Sequence, residues 1–162
     1  MAASKKHGKE KEDLKAICRN KRAFHDYEIF ETLECGIVLT GTEVKSLREH
    51  AASLEEAYAK IDHGELWLIG SDIPEYTMGN RLNHKPKRPR KLLLHRREID
   101  KFAGKASQQG YTLMPLRLYF KDGRAKVEIG VARGKKQYDK RETKKKAEAA
   151  REIRRAMKDR RR

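Results

Sequence analysis

The charges of this chain fall in blocks, and the blocks decide which parts of it can fold. Residues 23–80 hold 3 Lys/Arg against 12 Asp/Glu. Residues 81–97 hold 8 Lys/Arg and no acid, and residues 133–162 hold 15 against 5. The whole carries +16 over 162 residues. A segment dense in like charge cannot bury enough apolar surface to offset its chain entropy. The core must therefore come from the middle. The chain divides into a flexible basic N-terminus, 1–19, a folded domain, 20–133, and a basic C-terminal tail, 134–162. Segregated charge is also how a polyanion-binding surface looks in sequence. Nucleic acid is the first partner expected, an anionic membrane surface the second.

The middle reads as strands. In "YEIFETLECGIVLTG" Tyr27, Ile29 and Leu33 alternate with polar residues, and Ile37, Val38 and Leu39 follow as a short apolar run. "TEVKSLREH" suits a short helix with Thr42 as N-cap and a narrow apolar face, Val44 and Leu47. "SLEEAYAKIDHGELWLIG" fits either a helix or a hairpin turning at His63-Gly64. The β-rich run beyond the turn favours the hairpin. "NRLNHKPKRPRK" is a loop, because two prolines exclude a helix interior or a central strand. "KLLLH" is a short buried strand. "REIDKFAG" gives one or two helical turns stopping near Gly104. Two further strands meet at Asp122-Gly123, a strong hairpin signal. The result is mainly β: about six short strands with two or three short helices. A small closed barrel of the oligonucleotide-binding type fits this layout, with a mixed α+β sheet as the competing arrangement. Beyond Gln137 only a thin stripe, Ala147, Ala150, Ile153 and Met157, recurs at helical spacing. Such a tail is expected to be disordered alone and helical when bound.

No enzyme constellation emerges, so no catalytic residue is assigned. "GVARGKK" lacks the spacing of a phosphate loop and has Lys136 where a hydroxyl would meet magnesium. The six histidines form no i, i+4 pair, and Cys18 and Cys35 stand at no ligand spacing, so neither a metal nor a cofactor is expected. Ser46 beside Lys45 has no base or oxyanion hole at recognisable spacing. The cysteines fit reduced thiols. No apolar run nears the ~20 residues of a membrane span, and no signal segment follows the basic start, so a cytoplasmic protein is expected. RNA binding is better supported. Lys and Arg supply phosphate contacts, and Tyr27, Tyr76, Tyr119 and Tyr138 are available to stack, although residues such as the first three are more often core.

Four strings then carry a resemblance: "NKRAFHDYEIFETLECGIVLTGTEVKSLR", "ELWLIGSDIPEY", "PRKLLLHRREI" and "GYTLMPLRLYFKDGRAKVEIGVARGKKQYDKRE". In order, over about Asn20 to Glu142, they resemble the SsrA-binding protein family, also called small protein B. The resemblance implies an oligonucleotide-binding-type barrel without enzymatic activity. It also implies a partner, transfer-messenger RNA, whose tRNA-like domain the protein holds as a monomer in the complex. The pair enters stalled ribosomes for trans-translation, with the basic tail in the small-subunit decoding centre and the empty mRNA channel. A ribosomal or translation-factor-like barrel that binds rRNA without transfer-messenger RNA would share the charge map.

Carried over residue by residue, the resemblance ties Asn20, Glu34 and Leu93 to RNA binding, together with the cations Lys21, Arg22, Lys45 and Lys91. Gly134, Lys135 and Lys136 match the motif after the barrel. The ribosome-binding tail comprises Tyr138, Asp139, Lys140, Arg141, Lys144, Lys145, Lys146, Arg151, Arg154, Met157 and Lys158. Two departures from the family pattern are Ala156, where an isoleucine is usual before Met157, and Cys35, where alanine is usual. An acidic Glu34 in an RNA site is electrostatically odd unless it accepts hydrogen bonds from base or 2′-hydroxyl donors or orders a neighbouring cation.

Overall fold

The computed structural model describes residues 15–49 and 52–159. In chain order it contains β1 (Lys15–Arg19), α1 (Lys21–Asp26), β2 (Tyr27–Ile37), α2 (Gly41–Arg48), β3 (Tyr58–Asp62) and β4 (Glu65–Ile69). There follow β5 (Arg90–Leu93), α3 (Arg96–Ala106), β6 (Tyr111–Lys121), β7 (Arg124–Gly134) and α4 (Gln137–Asp159). Every strand pairing is antiparallel. Six strands close on themselves in the order β2-β5-β4-β3-β6-β7, with β7 returning to β2. Closure leaves no open mixed sheet, so the barrel is the arrangement that forms. The seventh strand, β1, lies outside the ring along β6.

Turn chemistry sets both hairpins. His63 and Gly64 at the β3–β4 turn, and Asp122 and Gly123 at the β6–β7 turn, all have positive φ, the pair of left-handed residues that a tight hairpin requires. Period-two alternation then places Leu66 and Leu68 of β4, Leu92 of β5, and Val127, Ile129 and Val131 of β7 inside the barrel. From α3, Ile99 and Phe102 are buried as the i, i+3 spacing requires. Burial pushes the Cys18 and Cys35 thiols up to about 11 and about 12, so neither is a reactive thiolate.

Pro115 sits inside the longest strand pair yet breaks nothing. It stands at a bulge, where the register of β6 on β7 shifts between Pro115 and Arg117. On its other edge β6 pairs with β3 at Leu113 and with β1 from Arg117 onward, so Pro115 occupies the gap between two partners. Asn20 fills that gap. Its Nδ2 donates to the carbonyls of Pro115 at 3.0 Å and Leu54 at 2.8 Å, while its Oδ1 caps α1 by accepting from the Ala23 amide at 2.9 Å.

Four expectations need correction. Residues 15–19 are strand rather than flexible arm; Ile17 is buried, but the three apolar residues between Lys15 and Arg19 are too short a pattern to reveal a strand whose partner lies a hundred residues on. Residues 1–14 lie outside the described residues. The helix α1 has no apolar stripe beyond Ala23 and Phe24 and went unforeseen. The N-cap of α2 is Thr40, not Thr42, because the Glu43 carboxylate accepts from the Thr40 amide at 2.9 Å. And α3 runs three turns, through Gly104, ending at Ser107, whose amide donates to the Ala103 carbonyl. Gly104 is exposed and a glycine there lowers helix propensity without ending the helix.

One acid lies wholly inside. Glu43 is fully buried on α2, between Arg88 and the equally buried Arg90. Arg88 grips it through Nε at 2.7 Å and a terminal nitrogen at 2.6 Å, and Arg90 through Nε at 2.9 Å. The rest of the Arg90 fork donates to the carbonyls of Ser71, Pro86 and Arg88 and to the Ser71 hydroxyl. Burial alone would raise the Glu43 pKa. The Arg88 and Thr40 hydrogen bonds and the two guanidinium charges outweigh it, and the pKa lies below its ordinary 4.5. This stabilisation is present above pH 4.5 and is lost as pH falls through the lowered folded-state value. Glu43→Gln leaves Arg90 buried without its counter-charge and should cost about 3–5 kcal/mol. Thermal melting at neutral pH should show that loss, and the gap between variant and unmodified protein should narrow as the pH is brought below 4.5.

Candidate nucleic-acid interface

Strand register arranges the outward side chains of the barrel wall in two rows. Residues directly opposite one another share a face. Gly36 of β2 pairs with Leu93 of β5 on one side and Lys126 of β7 on the other, and Lys126 pairs with Tyr119 of β6. The first row is therefore Leu93, Gly36, Lys126, Tyr119. Two residues along, Glu34 pairs with Glu128, and Glu128 with Arg117, giving the second row. Lys91, two residues before Leu93, extends the face to Trp67 of β4.

Leu93 is 51% exposed although its neighbour Leu92 is in the core. It does not pack inward; it leans over the glycine gap, where a Cβ on Gly36 would sit 3.2 Å from the Leu93 Cβ. The buried strand read from "KLLLH" is thus buried at Arg90 and Leu92 only, and Leu93 points outward because β5 alternates. Around this apolar knob stand Lys91, Arg124 and Lys126, with Lys91 ion-paired to Glu65. An exposed leucine over a bare backbone, ringed by cations, suits the ribose or base face of a nucleic acid with phosphates alongside.

Glu34 and Glu128 face each other as like charges, and each has its own donor. Arg117 Nε lies 2.7 Å from Glu128. The Tyr119 hydroxyl donates to Glu34 at 2.6 Å, and Lys121 lies 3.7 Å from the same oxygen. Burial and the Glu34 hydrogen bond both push the Tyr119 pKa up, so the phenol stays a donor. Tyr119 is 8% exposed and is spent on this bond rather than free to stack. Glu34 is left with acceptor lone pairs facing solvent. That is how an acid can serve an RNA surface: it takes hydrogen bonds from amino or 2′-hydroxyl groups while the surrounding cations hold phosphate.

The other expected residues lie elsewhere. Asn20 is fully buried with its amide committed to Pro115, Leu54 and Ala23, so it positions α1 rather than touching a ligand. Lys21 and Arg22 are exposed on α1. Lys45 is exposed on α2, its Nζ 5.6 Å above the Tyr76 ring. Gly134 ends β7, opposite Tyr27. Lys135 is pinned, its amide donating to the Asp26 carbonyl at 2.9 Å and its Nζ to that of Phe24 at 3.3 Å, and Lys136 is exposed. Of these, Arg22, Gly134 and Lys135 meet in a groove of about 580 Å³, lined also by Asp26, Tyr27 and Lys140; Lys21, Lys45 and Lys136 do not line it. From Tyr27 to Gly36 is nine strand steps, about 30 Å. The Leu93 face and the root of the tail therefore occupy opposite ends of the barrel.

The tail is one helix, α4. Asp139, Arg141, Lys144, Lys145, Lys146, Arg151, Arg154 and Lys158 are all exposed on it, as are the stripe residues Ile153 and Met157 at 56% and 64%. The side chain of Tyr138 lies outside the described residues. Lys140 is half-buried and ties α4 to the domain through Asp26, at 3.4 Å. Asp26 also receives His25 at 2.8 Å and Arg22 at 3.6 Å. The His25 hydrogen bond, against a smaller opposing effect of burial, and Lys140 hold its carboxyl below the usual value. Sequence reading missed Asp26, Glu43, Arg117 and Lys126. The last two were detectable as polar residues alternating with the buried Leu116, Leu118 and Val127, whereas nothing local marks Asp26, and the Thr40-x-x-Glu43 spacing marks a capping box but not the buried ion pair. Among the described residues no cluster of His, Cys, Asp and Glu is disposed to hold a metal, and no helix is long and apolar enough to cross a membrane. The Ser46 hydroxyl donates to the Pro74 carbonyl at 2.7 Å.

The family model described as SmpB protein matches residues 17–159. This chain belongs to the SmpB family. The SsrA-binding protein of Thermobifida fusca (strain YX) is 56% identical over 161 residues, covering 99% of this chain and 100% of its own. That of Geobacillus kaustophilus (strain HTA426) is 57% identical over 146 residues, covering 90% and 94%. A solved structure presented as "tmRNA-SmpB: a journey to the center of the bacterial ribosome" is 50% identical, covers 74% of this chain and 85% of that one, and superposes with a TM-score of 0.64. The strings read as SmpB-like thus coincide with the barrel wall and the tail root.

Asp26→Ala should release the first turns of α4 while the barrel stays intact. An exposed ion pair contributes only about 0.2–1 kcal/mol, so melting should barely move. Hydrogen exchange at residues 139–145 should quicken several-fold; unchanged protection there would show that Asp26 does not hold the tail.

Proposed function

We propose that this chain holds the tRNA-like domain of transfer-messenger RNA on its barrel and carries it to stalled ribosomes for trans-translation. The observation that carries this reading is the outward row Leu93, Gly36, Lys126 with the acceptor Glu34 beside it, on a barrel whose SmpB relatives include one solved with tmRNA. The role is one of binding, with no reaction of its own, and its compartment is the cytoplasm, where ribosomes are. The folded domain and the tail act separately. Contacts to RNA fall to Glu34, Leu93 and Lys91, with Lys21, Arg22, Lys135 and Lys136 steering phosphate at the opposite end. Gly134 lets the chain leave β7, and Asn20 fixes α1.

The tail from Tyr138 to Lys158 enters the decoding centre and the empty mRNA channel as a helix. Off the ribosome that helix is marginal. It buries almost nothing, and like charges repel at Lys140–Lys144, Arg141–Lys145, Arg151–Arg155 and Arg154–Lys158. Fixing each residue costs about 1–2 kcal/mol of backbone entropy, which dense phosphate contact in a narrow channel offsets. A channel still filled with message excludes the tail, so only stalled ribosomes are productive. Thr143 back-bonds to the Asp139 carbonyl at 2.8 Å near the start, and Ala156 before Met157 makes the distal apolar anchor small.

Capture of the tagged protein from a bacterial lysate, with sequencing of the bound RNA, should enrich one transfer-messenger RNA over tRNA and rRNA. Bulk rRNA alone would instead support a ribosomal barrel. Removal of Gln137–Arg162 should leave binding to a tRNA-like RNA intact and abolish peptide tagging; loss of both would refute the division of labour. Leu93→Ser should weaken RNA binding about tenfold, the scale expected for removing one apolar side chain from an interface, at unchanged melting temperature.

A further inference from the structure

A bulge in β1 decides which way the last residue of that strand points. The register of β1 on β6 shifts between Ala16 and Cys18, so Ile17 is the extra residue. Ile17 and Cys18 both pack on the barrel core, and the alternation of faces is broken between them. Ala16 and Arg19 therefore both face outward. Without the bulge, period two would turn Arg19 inward with Ile17. Arg19 stands directly opposite Arg117 of β6, which is opposite Glu128 of β7, which is opposite Glu34 of β2. The second outward row thus runs on past the barrel: Glu34, Glu128, Arg117, Arg19.

Two arginines directly across a strand pair repel, a placement that costs stability. Each is nonetheless held by its own neighbour. Arg117, with 51% of its side chain exposed, has Nε 2.7 Å from Glu128. Arg19, also exposed, lies with its guanidinium 4.3 Å from the centre of the Phe24 ring of α1 and has no ion-pair partner among the described residues. Both acids of the row are already paired, Glu128 with Arg117 and Glu34 with Tyr119 and Lys121, so Arg19 is charge in excess. Beside the arginines lies a groove of about 210 Å³ lined by Ala16, Arg117, Leu118, Tyr119 and Glu128. Ala16, opposite Tyr119, is too small to fill it.

Two planar guanidinium forks on one face, fixed and short of negative charge, match a single phosphate, which takes paired hydrogen bonds from arginine. The row itself says whose phosphate. It is continuous from Glu34, and two strand spacings, about 10 Å, separate Glu34 from Arg117. An RNA strand held at Glu34 and Leu93 therefore passes its own backbone over this edge.

We propose that Arg19 and Arg117 clamp one backbone phosphate of the transfer-messenger RNA whose tRNA-like domain lies on the Leu93–Glu34 face, so that the seventh strand is an edge of the RNA surface. This rests on the reading of that face as the site for this RNA. The test titrates the full chain with an RNA comprising the tRNA-like domain, and with vacant ribosomes, over a range of salt. Arg19→Gln with Arg117→Gln should weaken binding to the tRNA-like RNA about tenfold and lower the slope of log affinity against log salt by about one, at unchanged melting temperature. Arg19→Lys with Arg117→Lys keeps both charges and should keep the slope, which separates loss of charge from loss of fold. If Leu93→Ser weakens binding while the glutamine pair keeps the unmodified affinity and slope, the clamp is overturned and the carrier reading stands. A slope lowered only with vacant ribosomes would also overturn the clamp. Failure of the unmodified chain to bind the tRNA-like RNA would overturn the carrier reading, and this proposal with it.

Discussion

The buried carboxylate of Glu43 is the constraint on which the rest of the molecule depends. An acid at the centre of a small domain survives only if cations come to it, and here they come from the least structured part of the chain. Arg88 lies at the end of a twenty-residue connection that has no strand or helix of its own, and Arg90 opens the strand that follows it. By fastening Glu43, and by donating to the carbonyls of Ser71, Pro86 and Arg88, Arg90 turns that connection into a fixed layer over α2. The same clamp sets where β5 begins. The start of β5 determines that Leu92 faces inward and Leu93 outward, so the exposed leucine owes its position to an ion pair it never touches.

A second constraint comes from Pro115. A residue with no amide hydrogen in a central strand forces that strand to change partners, and β6 does so, taking β3 before the proline and β1 after it. The opening between the two is closed by Asn20, which also starts α1. One asparagine thereby couples barrel wall, seventh strand and helix. Loss of RNA binding on changing Asn20 would follow from displacement of α1 and its cations without any direct contact to RNA.

Elements whose information is local were readable from the chain. The Asp122-Gly123 and His63-Gly64 turns announce their hairpins, and the Ile99–Phe102 spacing announces α3. The tail was marked by its charge, a thin apolar stripe and the end of an SmpB-like string, and the other strings pointed to the barrel wall. What could not be read depends on distant partners. β1 has one buried side chain and needs β6 to be a strand at all. Glu43 looks like any helix-surface acid until Arg88 and Arg90 fold onto it. Leu93 in "KLLLH" could be core or surface; only the register fixed at Gly36 decides, since a shift of one residue would turn it inward. Asp26 reads as an ordinary helix-end residue, and its part in holding Lys140 appears only when β7 returns the chain beside α1.

The distance between the two ends of the barrel has a further consequence. Nine residues of β2, paired along their length with β7, separate the leucine knob from the tail root, so the body works as a ruler. Its length is fixed by residue count and by the rise of a strand, not by any flexible joint. The position of the Leu93 face thereby dictates, to within a few ångströms, where the basic helix emerges at the other end. Lengthening β2 and β7 together by two residues would keep every side chain on its proper face and still move that exit by about 7 Å. The geometry of the strand thus sets the reach of the protein as strictly as its side chains set its grip.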